Sequence, residues 1–377
     1  MSSRPSSSRR TTRPSTLGSG RPRSSSPSVD PSPMTGMSDR GPGVGRRQNP
    51  MTPMTTARRG GSARFLWTIV IGATLVTASC GGSTPRDAGG PIRIGAVLPL
   101  SGSTANLAGE ERLGVAIAAD LVNVDGGVAG RPIEVDVHDL ADRANAAATV
   151  DSLRSAGAVA VIGAYASSLS MDVSAATDRA GLVYWESGAV ADQLTGRGLP
   201  RVFRVGADGA RLGSNSATFA VDELAPRLGK ASADLRVTIV AVDDDYAASV
   251  AGAVDATLRS RGVTTIERIG YELARPDWPA VMGRLVASRP DIVVLASHVV
   301  DGEHFRRAML AANVRVGALI GSTMAQCIPD FGADLGPDAV GVFASDRPPS
   351  FFNPAALAPS ARAVYDRFAT AWRSRTG

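Results

Sequence analysis

Cysteine is almost missing from this chain. Cys80 and Cys327 are the only two in 377 residues, which excludes a disulfide framework. Histidine is nearly as scarce, with His138, His298 and His304, and no Cys/His spacing has the form of a zinc site. The single lysine, Lys230, stands against 39 arginines, a bias we read as genomic base composition. It has Leu224 and Ala231 where a phosphate-binding loop needs glycine and Ser/Thr. No G-x-S-x-G elbow occurs. The glycine-rich GPGVG at 41–45 has no strand before it. Nothing here has the signature of an enzyme, and no cofactor is expected. Aromatics make up only 5%.

Positive charge is also scarcer than the formal total of +5 implies. Residues 1–79 hold 12 of the 40 basic residues and 2 of the 35 acidic ones. Residues 80–377 therefore carry 28 basic and 33 acidic residues, a net charge of −5. The basic character belongs to a tail, so no nucleic-acid partner is expected.

What is present begins with residues 1–63, rich in Ser, Arg, Pro, Gly and Thr. Such a segment buries too little apolar surface to offset the entropy of ordering. Arg58, Arg59 and Arg64 then precede an apolar run at 65–76, followed by Thr77-Ala78-Ser79-Cys80-Gly81-Gly82. That is a positive n-region and a signal-peptide h-region, too short for a membrane span of about 20 apolar residues. Small residues leading into Cys80 resemble the lipobox of bacterial lipoproteins, with Thr77 where Leu is commoner. The resemblance implies a diacylglycerol on Cys80 and a membrane anchor outside the cytoplasm. An uncleaved anchor with an incidental cysteine is the other reading. Translation from Met51 or Met54 would leave a signal peptide of normal length. Residues 81–91 form a linker.

The remainder alternates strands and helices. Strands are expected at 92–98, 133–139, 159–162, 182–185 and 202–204, with helices at 109–123, 144–155 and 168–180. A second series places strands at 235–242, 264–271, 292–295 and 318–321, and helices at 210–228, 246–261, 278–288 and 303–312. This pattern predicts an α/β chain of two Rossmann-like lobes, each a parallel sheet flanked by helices. Ligands of such sheets bind at the carboxyl ends of the strands.

At those strand ends the chain resembles the type I periplasmic binding proteins. The nearest group is the branched-chain amino acid receptors of ABC transporters. The resemblance rests on a strand into PLSG (99–102), NVDGGVAGR (123–131), AVIGAYASS (160–168) and LVYWESGAVADQLT (182–195). It continues through RVFRVGADGARLG (201–213) and IVAVDDDYAASVAGAV (239–254). It implies a solute-binding receptor, a monomer, that delivers a small polar ligand to ABC permease subunits. It further implies that Ser167 holds the ligand's carboxylate, with Ser168 beside it and the Gly188, Ala189 and Val190 loop completing the cradle. Val190 replaces the usual Thr. Both serines also read as helix N-caps. Tyr246 matches the tyrosine that closes from the far lobe, or else is a first-turn core residue.

The acid that holds a ligand ammonium is absent, since Thr323 stands at its place, and Leu107 replaces an aromatic. Glu186 and Asp301 could supply that charge from nearby loops, or else are solvated loop acids; His298 is read as a cleft-lining or satisfied loop histidine, and Cys327 as a small buried or loop thiol. Asp243, Asp244 and Asp245 lack the spacing of a calcium loop. Residues 92–206 with 340–377 are assigned to lobe 1 and 207–339 to lobe 2. The family continues beyond the point matching Gly377, so sheets lacking late elements are expected. A sensor for a signalling partner and a cleft enzyme remain as alternative functions.

Overall fold

Short apolar runs alternating with helices become the strands of two parallel sheets. The computed structural model describes residues 89–323, 325–346 and 353–377, all within the compact unit Ser79–Gly377. The tail, the apolar run and Cys80 lie outside the described residues.

The first sheet contains β1 (Ile92–Leu98), β2 (Ile133–Asp139), β3 (Ala158–Gly163), β4 (Val183–Glu186) and β5 (Val202–Arg204). Their spatial order is β2-β1-β3-β4-β5 and every pairing is parallel. Helices α1 (Ala105–Val124), α2 (Ala146–Ser155), α3 (Ser167–Arg179) and the short α4 (Gln193–Gly196) belong to it. The second sheet contains β6 (Arg236–Val242), β7 (Thr265–Tyr271), β8 (Ile292–Ala296), β9 (Ala318–Ser322) and β10 (Val342–Ser345). Its order is β10-β9-β8-β6-β7, again parallel. Around it lie α5 (Gly209–Phe219), α6 (Ala225–Arg227), α7 (Asp245–Ser260), α8 (Trp278–Ser288), α9 (Val299–Ala311) and α10 (Pro329–Leu335). The last helix, α11 (Pro359–Thr376), packs on α1.

Two lobes of parallel sheet and flanking helices are as the pattern predicts, with one boundary corrected. Residues 342–345 do not return to lobe 1. They form β10, which registers on β9 through Phe343↔Ile320 and Ser345↔Ser322. The edge of β9 offers unpaired backbone groups, and the nearest apolar run takes them. The return to lobe 1 comes later and consists of α11, held by ion pairs from Arg367 to Asp125 and from Arg375 to Asp120.

Local chemistry sets the helix starts. Asp208, Asp244 and Asp277 cap α5, α7 and α8 by accepting from the N–H of Arg211, Ala247 and Ala280 at 2.8, 2.8 and 3.0 Å. The expected helix at 210–228 is interrupted by a π turn at Ala220–Leu224, just before Pro226, whose ring cannot continue the regular ladder. Helix α9 begins four residues before the expected 303, because the apolar pair Val299 and Val300 conceals its start. Gly209 and Gly213 let α5 lie directly on α7. A Cβ on Gly213 would sit 2.3 Å from the Val250 carbonyl oxygen.

Candidate ligand-binding cleft

The carboxyl ends of β3, β4, β6, β8, β9 and β10 converge on a cleft of about 530 Å³ between the lobes. From lobe 1 come the first turns of α1 with Asn106, Leu107, Glu110 and Glu111, the β3–α3 loop with Tyr165 and Ser167, and the β4 loop from Ser187 to Val190. From lobe 2 come Tyr246, His298, Thr323, Cys327, Asp330 and Asp346, and Trp372 of α11 reaches the same space.

The structure brings Ser167, Gly188, Ala189, Val190, Tyr246, His298 and Thr323 to one cleft. Ser168 is not on its wall; one residue further along a helix, the side chain turns by about 100°. Neither serine caps α3. Its N-cap is Ala166, without a side-chain cap. Ser167 instead occupies the first helical position, where backbone N–H groups lack intrahelical acceptors. Its Oγ accepts from the Ala191 N–H at 3.2 Å, tying α3 to the neighbouring loop.

Glu186 corrects the expectation of a solvated acid. It is 0% exposed. Its Oε1 accepts from the N–H groups of Gly188 and Ala189, both at 2.8 Å, and its Oε2 accepts from the Tyr184 hydroxyl at 2.6 Å. Burial raises its pKa against the opposing bonds from Ser170, Tyr184, Ala189 and Gly188. Two N–H groups expected to cradle a ligand are therefore turned inward. The tight approach needs Gly188, where a Cβ would meet the Tyr165 ring at 2.8 Å. The Ser187 hydroxyl is likewise engaged, donating to Glu111.

The far wall is equally organised. Tyr246 is buried, and its hydroxyl donates to the carbonyl oxygens of Ser322 at 2.5 Å and Ser297 at 3.3 Å. Its ring lies 5.5 Å from that of His298. His298 Nε2 lies 3.1 Å from Asp244 Oδ2. Burial lowers the imidazole pKa, but Asp244 and Asp301 outweigh it and the net direction is upward. Asp301 is also no solvated acid. Its buried carboxylate accepts from the Tyr271 hydroxyl at 2.5 Å and the His298 N–H at 3.2 Å. Asp244 is occupied as the cap of α7 and the partner of His298. Thr323 takes a positive φ of 45°, and its N–H donates to the Ser345 carbonyl at 2.9 Å, which sets Asp346 beside it. Cys327 is a cleft-side thiol whose pKa is pushed up to about 12 by burial, then by Asp346.

Sequence reasoning missed Glu110, Glu111, Asp330, Asp346, Tyr165 and Trp372. The strand-end rule would have reached Asp346 had β10 been placed in the second sheet. The two glutamates were legible only as the polar face of α1.

A sequence profile of the periplasmic binding protein family matches residues 91–376. The chain belongs to that family. A Leu/Ile/Val-binding protein homolog 8 from Brucella suis biovar 1 (strain 1330) is 30% identical over 288 residues, covering 76% of this chain and 70% of the relative. A periplasmic binding protein type 1 from Bordetella pertussis Tohama I superposes with a TM-score of 0.64 at 19% identity, over 76% of this chain and 75% of the other. An ABC transporter substrate-binding protein from Desulfitobacterium hafniense, solved with Leu, gives 0.56 at 22%, over 76% and 77%. These agree with a solute-binding receptor that works outside the cytoplasm. Among the described residues no helix is long and apolar enough to cross a membrane.

Proposed function

We propose that this periplasmic binding protein is the receptor of an ABC importer, a monomer anchored through a lipid on Cys80, that binds a small polar solute bearing a carboxylate. The observation that carries the reading is the cleft itself, with Ser167 and the open first turn of α3 on one wall and Tyr246, His298 and Thr323 on the other. Helix N-termini favour anions through unpaired N–H groups and partial positive charge. The Ser167 hydroxyl accepts from Ala191 and retains its own proton for a ligand oxygen. A solute that touches both walls holds the lobes closed, and the closed form docks on the permease.

A thermal-shift screen of amino acids, amides, urea and short carboxylates tests the reading. A solute at one hundred times its Kd stabilises the folded protein by about 2.7 kcal/mol. At least one of these classes is expected to raise the melting temperature; a screen in which none does contradicts a receptor of this kind. Cys80→Ser is expected to move the protein from the membrane fraction to the soluble fraction. A variant that stays membrane-bound and normally processed contradicts the lipid anchor.

A further inference from the structure

The loop after β4 is anchored in both lobes. Ala189 packs in the hydrophobic core of lobe 1, and the next residue, Val190, packs in that of lobe 2. Ala191 turns back to lobe 1. Its N–H donates to Ser167 Oγ at 3.2 Å, and its carbonyl accepts from the Arg204 guanidinium at 2.7 Å. Asp192 then faces lobe 2. Its Oδ1 accepts from the Ala210 N–H at 2.9 Å, and its own N–H donates to Ser249 Oγ at 3.0 Å. The Val190 carbonyl accepts from the Gly209 N–H at 2.7 Å. Two N–H groups in the first turn of α5, which have no acceptor inside the helix, therefore end on lobe 1. Ser249 is buried in α7, three residues after Tyr246. Its single proton faces Gln193 Oε1 and the Asp245 carbonyl, each at 3.1 Å. Gly209 closes the corner, since a Cβ there would lie 2.6 Å from that of Ser249. Residues 205–208, just before α5, are where the chain crosses between the lobes.

Resting on the receptor reading, we infer that Asp192 and Ser249 are positioning residues for the solute. They fix the lobe 1 loop that is bonded to Ser167 onto the α5–α7 pair of lobe 2, which carries Tyr246 into the cleft. Neither residue lines the cleft, so both act through others. The path from one wall to the other is Ser167, Ala191, Asp192, Ser249 and Tyr246, with no step longer than one hydrogen bond or one helical turn. Closing two lobes on a solute costs freedom of one lobe relative to the other. A corner held from both sides leaves less freedom to lose, so more of the contact free energy appears as affinity. Loosening it lets Ser167 and Tyr246 drift out of register although neither has changed, and a site held too loosely loses affinity. The Asp192 carboxylate suits its place, because the start of α5 carries partial positive charge.

The test compares wild type, Asp192→Ala, Asp192→Asn and Ser249→Ala as full chains. Amide hydrogen exchange reads the corner without solute, and calorimetry reads affinity for the solute that most raises the melting temperature of wild type. Ser249→Ala alters lobe 2 alone, yet it is expected to speed exchange at 190–193 of lobe 1 and leave Ile92–Leu98 unchanged. Asp192→Ala is expected to bind about tenfold more weakly, the loss of one charge-assisted contact. Ser249→Ala is expected to bind about threefold more weakly, the loss of a neutral one. Asp192→Asn keeps an acceptor for Ala210 and is expected to recover most of the affinity. In a Ser167→Ala background the Asp192→Ala effect is expected to shrink, because residues that act through one another are not additive. Should Asp192→Ala fail to fold, Ser249→Ala, which removes a single hydroxyl, decides by the same readings. Unchanged exchange at 190–193, wild-type affinity in the alanine variants, or Asp192→Asn as weak as Asp192→Ala overturns the inference and leaves the receptor reading standing. Failure of every solute with wild type removes both.

Discussion

The two lobes share a plan and differ in how their sheets are covered. In lobe 2, β8 and β9 are buried at every position, and the core runs continuously through both faces of the sheet. In lobe 1, β2 and β4 alternate between covered and exposed residues. The face of that sheet toward α2 and α3 is packed around Tyr184 and Leu153. The face toward α1 is thinly covered. Trp185 and Phe203 are each 45% exposed there with ring centroids 6.0 Å apart. A groove of about 380 Å³ runs beneath α1 past Val135, Ile162 and Trp185. Parallel sheets are ordinarily covered on both faces. Lobe 2 follows that rule, and in lobe 1 α1 carries most of the burden on one side, with α11 packed on α1. Stability is therefore concentrated in lobe 2 and in one face of lobe 1.

Truncating a core side chain in each lobe should break the symmetry most visibly. Phe305, fully buried between α9 and the second sheet, packs edge-on to Trp278. Phe305→Ala is expected to cost about 3–5 kcal/mol in denaturant unfolding. The buried carboxylate of lobe 1 comes next. Glu186→Ala strands the Tyr184 hydroxyl and the Gly188 and Ala189 N–H groups, with an expected loss of about 3 kcal/mol. Glu186→Gln keeps an acceptor and is expected to lose less. Trp185→Ala, on the thin face, is expected to cost about 1 kcal/mol, mainly the aromatic pair and partial burial. A Trp185→Ala cost equal to that of Phe305→Ala would remove the contrast between the lobes.

The smallest expected effect is a difference in pH windows. Glu186 has a raised folded pKa, so its contribution to stability is complete below its ordinary 4.5 and is lost as pH rises through the folded value. His298 is also raised. Its contribution is complete below 6.5 and is lost as pH rises through its own folded value. Unfolding free energy against pH should therefore slope downward in two windows, the lower flattened by Glu186→Gln and the upper by His298→Gln. A profile unchanged by either variant contradicts these assignments.

Much of this was legible in the sequence because apolar runs in a parallel sheet are short and spaced by helices. The resemblance to the family supplied most of the eight expected ligand residues, and seven of them line one cleft. Three features were hidden for identifiable reasons. Asp346 depended on a strand pairing that four residues of weak pattern do not announce. Glu186 reads as a loop acid in one dimension, since only its partners in three dimensions make a buried carboxylate tolerable. Asp301 is concealed in the same way by Tyr271, thirty residues earlier in the chain.

The central claim, that the first turn of α3 is where the solute's carboxylate is held, is tested most directly by calorimetry on wild type and Ser167→Ala with the screened carboxylate ligand. A hydrogen bond to a charged partner contributes about 1.5–3 kcal/mol, so the variant is expected to bind roughly tenfold to a hundredfold more weakly. The lost bond from Ala191 should cost the fold only about 1 kcal/mol, and a melting curve on each protein separates the two effects. Equal affinity of both proteins for the carboxylate ligand would contradict the proposed site.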